Sequence, residues 1–168
     1  KNYAIVDALK QVSTKESFTV TAENEQYKVA LLDYGAKRNI IRELVKRGCS
    51  VTVLPYDTKT EDILALNPDG LMLSNGPGDP AENVVPIAEL AKLSGKLPIF
   101  GICLGHQLLA LAHGGETVKL KYGHRGVNQP VKEVSGTRTY ITSQNHGYAV
   151  VSESLKSGKL SSINANYG

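Results

Sequence analysis

Residues 97–112 have the sequence LPIFGICLGHQLLALA. An apolar run of strand length ends at Gly101, Cys103 follows between two glycines, and an apolar segment with helical spacing comes next. This arrangement is typical of a nucleophile elbow, in which small neighbours let the chain turn sharply between a strand and a helix. We expect the cysteine side chain to stand clear of the sheet at the carboxyl end of its strand, where open parallel sheets bind ligands.

The helix predicted to begin at Leu104 or Gly105 gives a chemical reason to regard Cys103 as reactive. The amino-terminal end of a helix offers free N–H groups and a positive dipole end, which favour a thiolate and a developing oxyanion. Cys49 has different surroundings, because it lies between Gly48, where a helix is predicted to end, and a strand. We therefore expect Cys49 to be a buried structural residue.

The elbow is the last of four predicted strand and helix pairs. The strands are predicted at residues 29–33, 50–55, 71–73 and 97–100, and the helices at residues 36–47, 62–66, 84–93 and 107–112. Strict alternation with apolar strands predicts an α/β fold, in which an open, mostly parallel sheet has helices on both faces, with flavodoxin-like layering.

The two ends of the chain differ from this central pattern. We expect residues 1–27 to be a linker or arm, with a short amphipathic helix over residues 4–12 and a polar connecting stretch over residues 13–27. Residues 28–168 then form the main domain. Its short β-branched segments at residues 117–121, 129–134 and 137–142 predict antiparallel strands at an edge or flap, and its tail shows no closing element. We therefore expect the domain to be truncated at its carboxyl end.

Composition excludes several classes of protein. The chain has 168 residues, is 41% hydrophobic and 21% charged, and has a net charge of +3, which argues against disorder and against a nucleic-acid partner. No run approaches the roughly 20 apolar residues of a membrane span. With two cysteines in unlike surroundings, a reducing compartment is favoured over a disulfide scaffold, and we expect a cytoplasmic protein.

Two polar segments are candidates to complete a site around Cys103. Residues 74–80 (SNGPGDP) follow the third strand, where Gly76 and Gly78 lack the Cβ atoms that would keep a ligand from the backbone N–H groups. Residues 143–148 (SQNHGY) are predicted to be a loop after an edge strand, and they suit recognition of a small polar substrate. Either segment alone could also be an ordinary turn.

Together these segments resemble the motifs of class I, or triad-type, glutamine amidotransferases. Residues 101–107 resemble the nucleophile motif of that family, and residues 74–80 resemble its oxyanion-strand motif. Within the class, residues 108–112, 121–126 and 143–148 resemble the small subunit of carbamoyl-phosphate synthetase in particular. The resemblance extends over roughly residues 1–150, and several separate motifs agree.

The resemblance implies a role for each matched residue. Cys103 would attack the carboxamide carbon of glutamine, forming a glutamyl thioester and releasing ammonia. The backbone N–H groups of Gly76 and Leu104 would stabilise the oxyanion, and His146 would be a supporting residue. The matched positions that hold glutamine are Gly78, Gln107, Asn145, Gly147 and Tyr148.

The resemblance also implies a partner. In the family, ammonia passes to a large synthetase subunit, which uses ATP, Mg²⁺ and bicarbonate to make carbamoyl phosphate for arginine and pyrimidine biosynthesis. We expect a heterodimer with that subunit, no cofactor or metal in this chain, and no nucleic-acid or membrane partner.

One part of the family pattern is missing from the sequence. The family completes its triad with a His-Pro-Glu segment, whereas none of the four histidines, His106, His113, His124 and His146, is followed two residues later by Glu. We expect that segment and an amino-terminal domain to lie outside these residues, and the chain to be inactive alone. Within these residues, His124 and His146 remain as substitutes for the base, and His146 is the better placed. Two alternatives stay open: a non-catalytic module for glutamine binding or assembly, and another hydrolase with an elbow cysteine.

Overall fold

Strands and helices alternate as far as Ala112, as the sequence predicts. The computed structural model describes residues 7–166. The helices are α1 (Ala8–Val12), α2 (Arg38–Val45), α3 (Thr60–Ala65), α4 (Val84–Leu93) and α5 (Leu104–Ala112). The strands are β1 (Phe18–Val20), β2 (Tyr27–Asp33), β3 (Cys49–Pro55), β4 (Gly70–Leu73), β5 (Ile99–Gly101), β6 (Glu116–Glu133), β7 (Thr139–Val151) and β8 (Ser162–Asn164). Two short 3₁₀ turns lie at Pro80–Glu82 and Ser152–Ser154.

The described chain divides into two compact units, of which the first ends at Ala112 and the second begins at His113. In the first unit, five strands form a sheet in the order β1-β3-β2-β4-β5. In the second, three strands form a sheet in the order β7-β6-β8. The separation of an arm over residues 1–27 from a domain over residues 28–168 stays a prediction.

Parallel pairing brings the carboxyl ends of the central strands of the first unit together. Strands β2, β3, β4 and β5 are parallel, and the register pairs Leu32 with Leu73 and Leu73 with Gly101. The segments that follow β2, β4 and β5 therefore begin at the same end of the sheet, where the parallel strands have their carboxyl ends. This end carries Tyr34, the loop after Leu73, and Cys103.

Helices cover both faces of this sheet, which confirms the predicted fold class. On one face, the fully buried side chains of Ile63, Leu90 and Leu108 bring α3, α4 and α5 against the strands. On the other face, α2 packs its apolar side against a cluster that contains Leu31, Val51 and Cys49. Buried apolar side chains on both faces explain why the runs in β2 and β4 are continuously apolar instead of alternating.

The connecting stretch predicted over residues 13–27 is wrong in one respect, because it contains strand β1. Phe18, Thr19 and Val20 pair with β3 in an antiparallel ladder at the sheet edge. An edge strand of three residues, two of them exposed, leaves little apolar pattern in the sequence. Of the helix predicted over residues 4–12, α1 forms the part from Ala8, and the rest lies partly outside the described residues.

The second unit is an antiparallel hairpin of β6 and β7 with β8 added alongside β6. The prediction of antiparallel strands is confirmed, but residues 143–148 are not a loop: they lie inside β7. Because the side chains of these residues are polar, the sequence pattern does not predict a strand there. Pairing with β6 in an antiparallel ladder stabilises it instead. The tail, for which no closing element was predicted, contains β8. No helix among residues 7–166 is long and apolar enough to cross a membrane.

Candidate functional site

Cys103 lies at the sharp turn between β5 and α5, with a backbone φ of +53°. L-residues rarely adopt this left-handed conformation, because the Cβ atom then crowds the following carbonyl oxygen. Strain of this kind is concentrated at functional sites, where the surrounding structure holds it in place. The conformation matches the predicted nucleophile elbow.

The glycines on either side of Cys103 are required by close backbone packing. A Cβ atom on Gly105 would lie 2.5 Å from the carbonyl oxygen of Leu73, and one on Gly101 would lie 2.5 Å from the backbone nitrogen of His106. The Gly105 N–H donates to the carbonyls of Ser74 (3.1 Å) and Ile102 (3.0 Å). Because no side chain fits at these positions, the elbow can lie directly on the end of β4.

The segment after β4 packs against the elbow. A Cβ atom on Gly76 would lie 2.7 Å from Cδ2 of Leu104 and 2.2 Å from the carbonyl oxygen of Tyr34. Gly76 is thus enclosed between the first residue of α5 and the end of β2. Gly78 has a φ of +94°, and a Cβ atom there would lie 3.0 Å from Cβ of Ala8. The structure therefore brings Gly76, Leu104 and Cys103 together, as the sequence predicts.

A hydrogen-bond network fixes the same segment to the loop after β2. The Ser74 side chain is fully buried; its Oγ accepts from the Tyr34 N–H (2.9 Å), and its O–H donates to the Asn75 carbonyl (2.9 Å). The Asn75 side-chain amide donates to the Gly35 carbonyl (3.0 Å) and accepts from the Lys37 N–H (3.1 Å). These bonds join the two carboxyl-end loops into one rigid group.

The other predicted residues of the first unit occupy two different environments. Gln107 is buried on α5, and its N–H donates to the Cys103 carbonyl at 3.1 Å. Cys49 is buried at the start of β3, in the cluster on the α2 face of the sheet. This is the structural position that the sequence predicts for Cys49.

Asn145, Gly147 and Tyr148 lie on β7 in the second unit, opposite an irregular part of β6. The register pairs Tyr148 with Lys119 and His146 with His124, so Gly147 alone faces residues 120–123. This bulge includes Gly123, whose φ is +71° and whose added Cβ would lie 2.6 Å from the His146 carbonyl. The Arg125 guanidinium donates to the Asn145 side-chain oxygen at 3.2 Å.

The His146 ring is held within its own strand. Its Nδ1 lies 2.7 Å from the Tyr148 carbonyl oxygen and its Nε2 lies 3.0 Å from Oε1 of Gln144. The ring also packs edge-on against His124, with centroids 4.8 Å apart. Burial, followed by the electrostatic effect of the neighbouring His146 ring, lowers the pKa of His124. Both ring nitrogens of His146 thus contact acceptor oxygens of the same strand, which hold the ring in one orientation, as suits a supporting residue.

Sequence reasoning missed the part that Ser74 and Asn75 play in this site. The segment was recognised through its glycines, whereas the polar side chains just before them make the bonds to the loop after β2. A signal was present, because Ser and Asn at the end of a strand often bond to nearby backbone. Their partners lie about forty residues away in the chain, so the parallel register was needed to identify them.

Comparisons with known proteins agree with this geometry. Residues 30–167 match the family model for glutamine amidotransferase class-I. The chain is 58% identical to the carbamoyl phosphate synthase small chain of Clostridium perfringens over 144 residues, which are 86% of this chain and 41% of that protein. It is 49% identical to the small chain of Methanococcus maripaludis, over 96% of this chain and 44% of that protein. The chain thus spans less than half the length of these relatives.

Solved structures agree on the fold. A GMP synthase component from Thermoplasma acidophilum has a TM-score of 0.68 at 23% identity, covering 82% of this chain and 73% of that one. A glutamine amidotransferase from Thermotoga maritima has a TM-score of 0.57 at 23% identity, covering 74% of this chain and 62% of that one. With the elbow, the adjoining glycine segment and a family match over residues 30–167, the chain belongs to the class-I glutamine amidotransferases.

Proposed function

We propose that this chain is the glutamine-hydrolysing part of a carbamoyl phosphate synthase small chain. The observation that carries the proposal is Cys103, held in a left-handed conformation at the elbow and packed beside Gly76 and Leu104. Support for the particular enzyme comes from the small chains, which are 49–58% identical to this sequence.

The chemistry begins with the Cys103 sulfur attacking the side-chain carboxamide carbon of glutamine. A carbon–sulfur bond forms, and the carbonyl electron pair moves onto oxygen. Collapse of this tetrahedral intermediate, with a proton delivered to the nitrogen, expels ammonia and leaves a glutamyl thioester. Water then attacks the thioester, releasing glutamate and restoring the thiol, so that glutamine and water become glutamate and ammonia.

The N–H groups of Gly76 and Leu104 are proposed to stabilise the oxyanion in both steps. Leu104 is the first residue of α5, so its N–H is at the helix end where the backbone donors are not used inside the helix. Gly76 lies against the Leu104 side chain, so the two residues approach from adjoining segments. Preorganised donors of this kind supply a large share of the rate enhancement in acyl transfer.

Substrate-holding roles are proposed for Gly78, Gln107, Asn145, Gly147 and Tyr148, because they match the glutamine-binding positions of the family. His146 is proposed to support this group through its contacts with the Tyr148 carbonyl and Gln144. We assign the role of triad base to the histidine of a His-Pro-Glu segment. None of the four histidines of this sequence lies in such a segment.

The partner that we propose is the large chain of the same synthase. It would receive the ammonia and use ATP, Mg²⁺ and bicarbonate to make carbamoyl phosphate for arginine and pyrimidine biosynthesis. We place the complex in the cytoplasm, whose reducing conditions keep a nucleophilic thiol in its active form.

The test is glutamate release from glutamine by the full chain, meaning a small chain of the relatives' whole length that contains this sequence, with and without the large chain. Cys103→Ser should abolish release while glutamine still binds, and Cys49→Ser should leave turnover unchanged. Glutamine binding without turnover in the parent complex would favour a binding or assembly module. Failure to bind glutamine, with Cys103-dependent hydrolysis of other amides or esters, would favour a different hydrolase.

A further inference from the structure

We propose that Ser74 is a positioning residue, whose hydroxyl sets the direction of the Gly76 N–H through the carbonyl of Asn75. The inference rests on the proposed function, in which the Gly76 N–H stabilises the oxyanion. It concerns a side chain whose hydroxyl bonds to the Tyr34 N–H and the Asn75 carbonyl, next to the proposed oxyanion donor. The group through which Ser74 acts is the peptide that Asn75 and Gly76 share.

The Asn75 carbonyl and the Gly76 N–H belong to one planar peptide unit. In a trans peptide these two groups point in opposite directions, so any contact that fixes the carbonyl also fixes the N–H. The Ser74 O–H donates to the Asn75 carbonyl oxygen at 2.9 Å. The Ser74 hydroxyl therefore sets the direction of the Gly76 N–H, the proposed oxyanion donor.

This peptide unit needs such a constraint, because it is followed by glycine. Rotation of a peptide plane requires a change of φ in the residue after it, and glycine allows nearly any φ. Gly76 cannot be replaced by a stiffer residue, since an added Cβ would lie 2.2 Å from the Tyr34 carbonyl oxygen. Close packing thus requires glycine at position 76, although glycine leaves the preceding peptide plane free to rotate. The hydrogen bond from the Ser74 hydroxyl restrains this rotation.

The Ser74 hydroxyl is itself oriented by a fixed partner. Its oxygen accepts from the Tyr34 N–H at 2.9 Å, which leaves its own hydrogen to donate to Asn75. The loop after Tyr34 is held by Asp33, whose Oδ1 accepts from the Gly35 N–H (2.9 Å) and the Ala36 N–H (2.7 Å). The restraint on Gly76 is therefore anchored in the end of β2.

The substitution that tests the proposal is Ser74→Ala in the full chain, assayed with its large chain. We expect kcat for glutamine hydrolysis to fall roughly 10- to 100-fold, below the 100- to 1,000-fold loss that removal of a whole oxyanion donor causes. KM should stay within about twofold, since an interaction made only in the transition state leaves ground-state binding unchanged.

An inhibitor comparison separates orientation from general damage. In an aldehyde analogue of glutamine, the Cys103 sulfur adds to the carbonyl carbon, and the carbonyl oxygen becomes the oxyanion of a tetrahedral adduct. Binding of this analogue should weaken by the same factor as kcat/KM in Ser74→Ala. Binding of glutamate, the planar product, should not change.

Ser13 offers a matched control. Its oxygen accepts from the Tyr56 N–H (3.0 Å), and its O–H donates to the carbonyl of the next residue, Thr14 (3.3 Å), as Ser74 does at the candidate site. Ser13 is also buried. Ser13→Ala should lower stability through the same kind of lost bonds and leave kcat unchanged.

The outcomes distinguish failure of the inference from failure of the proposed function. A parent protein that does not hydrolyse glutamine overturns the proposed function, and the inference with it. A parent that is active, with Ser74→Ala at the parent kcat, overturns the inference alone. If Ser74→Ala does not fold, the nearly isosteric Ser74→Cys decides, because a thiol is a weaker donor: an intermediate kcat with unchanged KM supports the proposal, and a parent-like kcat overturns it.

Discussion

The conformation of Cys103 leads to a stability prediction that differs in sign from the usual effect of glycine. At a φ of +53°, every L-residue is strained, whereas glycine is not. We therefore expect Cys103→Gly to be more stable than Cys103→Ala. The comparison uses two variants without the thiol, so that loss of the sulfur affects both alike.

The magnitude follows from two opposing effects. A left-handed conformation costs an L-residue about 1–2 kcal/mol, while glycine loses roughly 0.5–1 kcal/mol more chain entropy than alanine on folding. The difference leaves Cys103→Gly more stable by about 1 kcal/mol.

Cys49 gives the opposite expectation, because it lies in β3 and is not among the residues with positive φ. There glycine loses the entropy and also the buried methyl group, so Cys49→Gly should be less stable than Cys49→Ala by about 1.5 kcal/mol.

Native-state hydrogen exchange is a suitable assay, because it reports opening of the first unit in the full chain. The slowest amides of β2 and β4 give the free energy of that opening for each variant. The expected result is a gain for glycine over alanine at position 103 and a loss at position 49. Equal losses for glycine at both positions would refute the claim that the elbow is strained.

Three further predictions concern other parts of the first unit. Gly105→Ala should lower the free energy of urea unfolding by several kcal/mol, since the new Cβ would lie 2.5 Å from the Leu73 carbonyl oxygen. The control Gly70→Ala, whose new Cβ would lie 3.5 Å from its nearest neighbour, should cost about 1 kcal/mol or less. Equal effects of the two substitutions would contradict the packing argument. Tyr34→Phe should raise stability by about 1 kcal/mol in the same assay, because the buried Tyr34 hydroxyl has no hydrogen-bond partner among the described residues; a loss would show that the hydroxyl has a partner. Thr60→Ala should cost roughly 1–3 kcal/mol at neutral pH, since the Thr60 hydroxyl donates to the buried Glu89 carboxylate at 2.8 Å. The pKa of Glu89 is lowered from 4.5 to about 2 by the Thr60 N–H, Lys92 and the Thr60 hydroxyl. The stability that the ionised Glu89 carboxylate contributes is therefore present above pH 4.5 and is lost as the pH falls towards 2. If Thr60→Ala lost stability between pH 4.5 and 2 as the parent does, the assignment would be contradicted.

Much of the fold was predictable because its elements have strong periodic patterns. The runs that form β2 and β4 are apolar on both faces, and Val84–Leu93 was predicted with the bounds that α4 has. Glycines marked the elbow, because only they allow α5 to approach β4 so closely. Local pattern and tertiary packing agree in this part of the chain.

The elements that were not predicted depend on partners distant in sequence. Strand β1 has three residues, and pairing with β3 stabilises it more than its own apolar content does. Residues 143–148 belong to a strand because they pair with β6, although their side chains are polar. The role of Ser74 likewise depends on Tyr34, forty residues earlier in the chain.

The most direct test of the central claim is to trap the covalent intermediate. The full chain with its large chain is mixed with glutamine and quenched in acid within the first turnovers. The protein is then digested, and the mass of the peptide that contains Cys103 is measured by mass spectrometry. We predict that this peptide gains the mass of one glutamyl group, and that Cys103→Ala shows no gain. Glutamine turnover without a glutamyl adduct on Cys103, or turnover that persists in Cys103→Ala, would contradict the account.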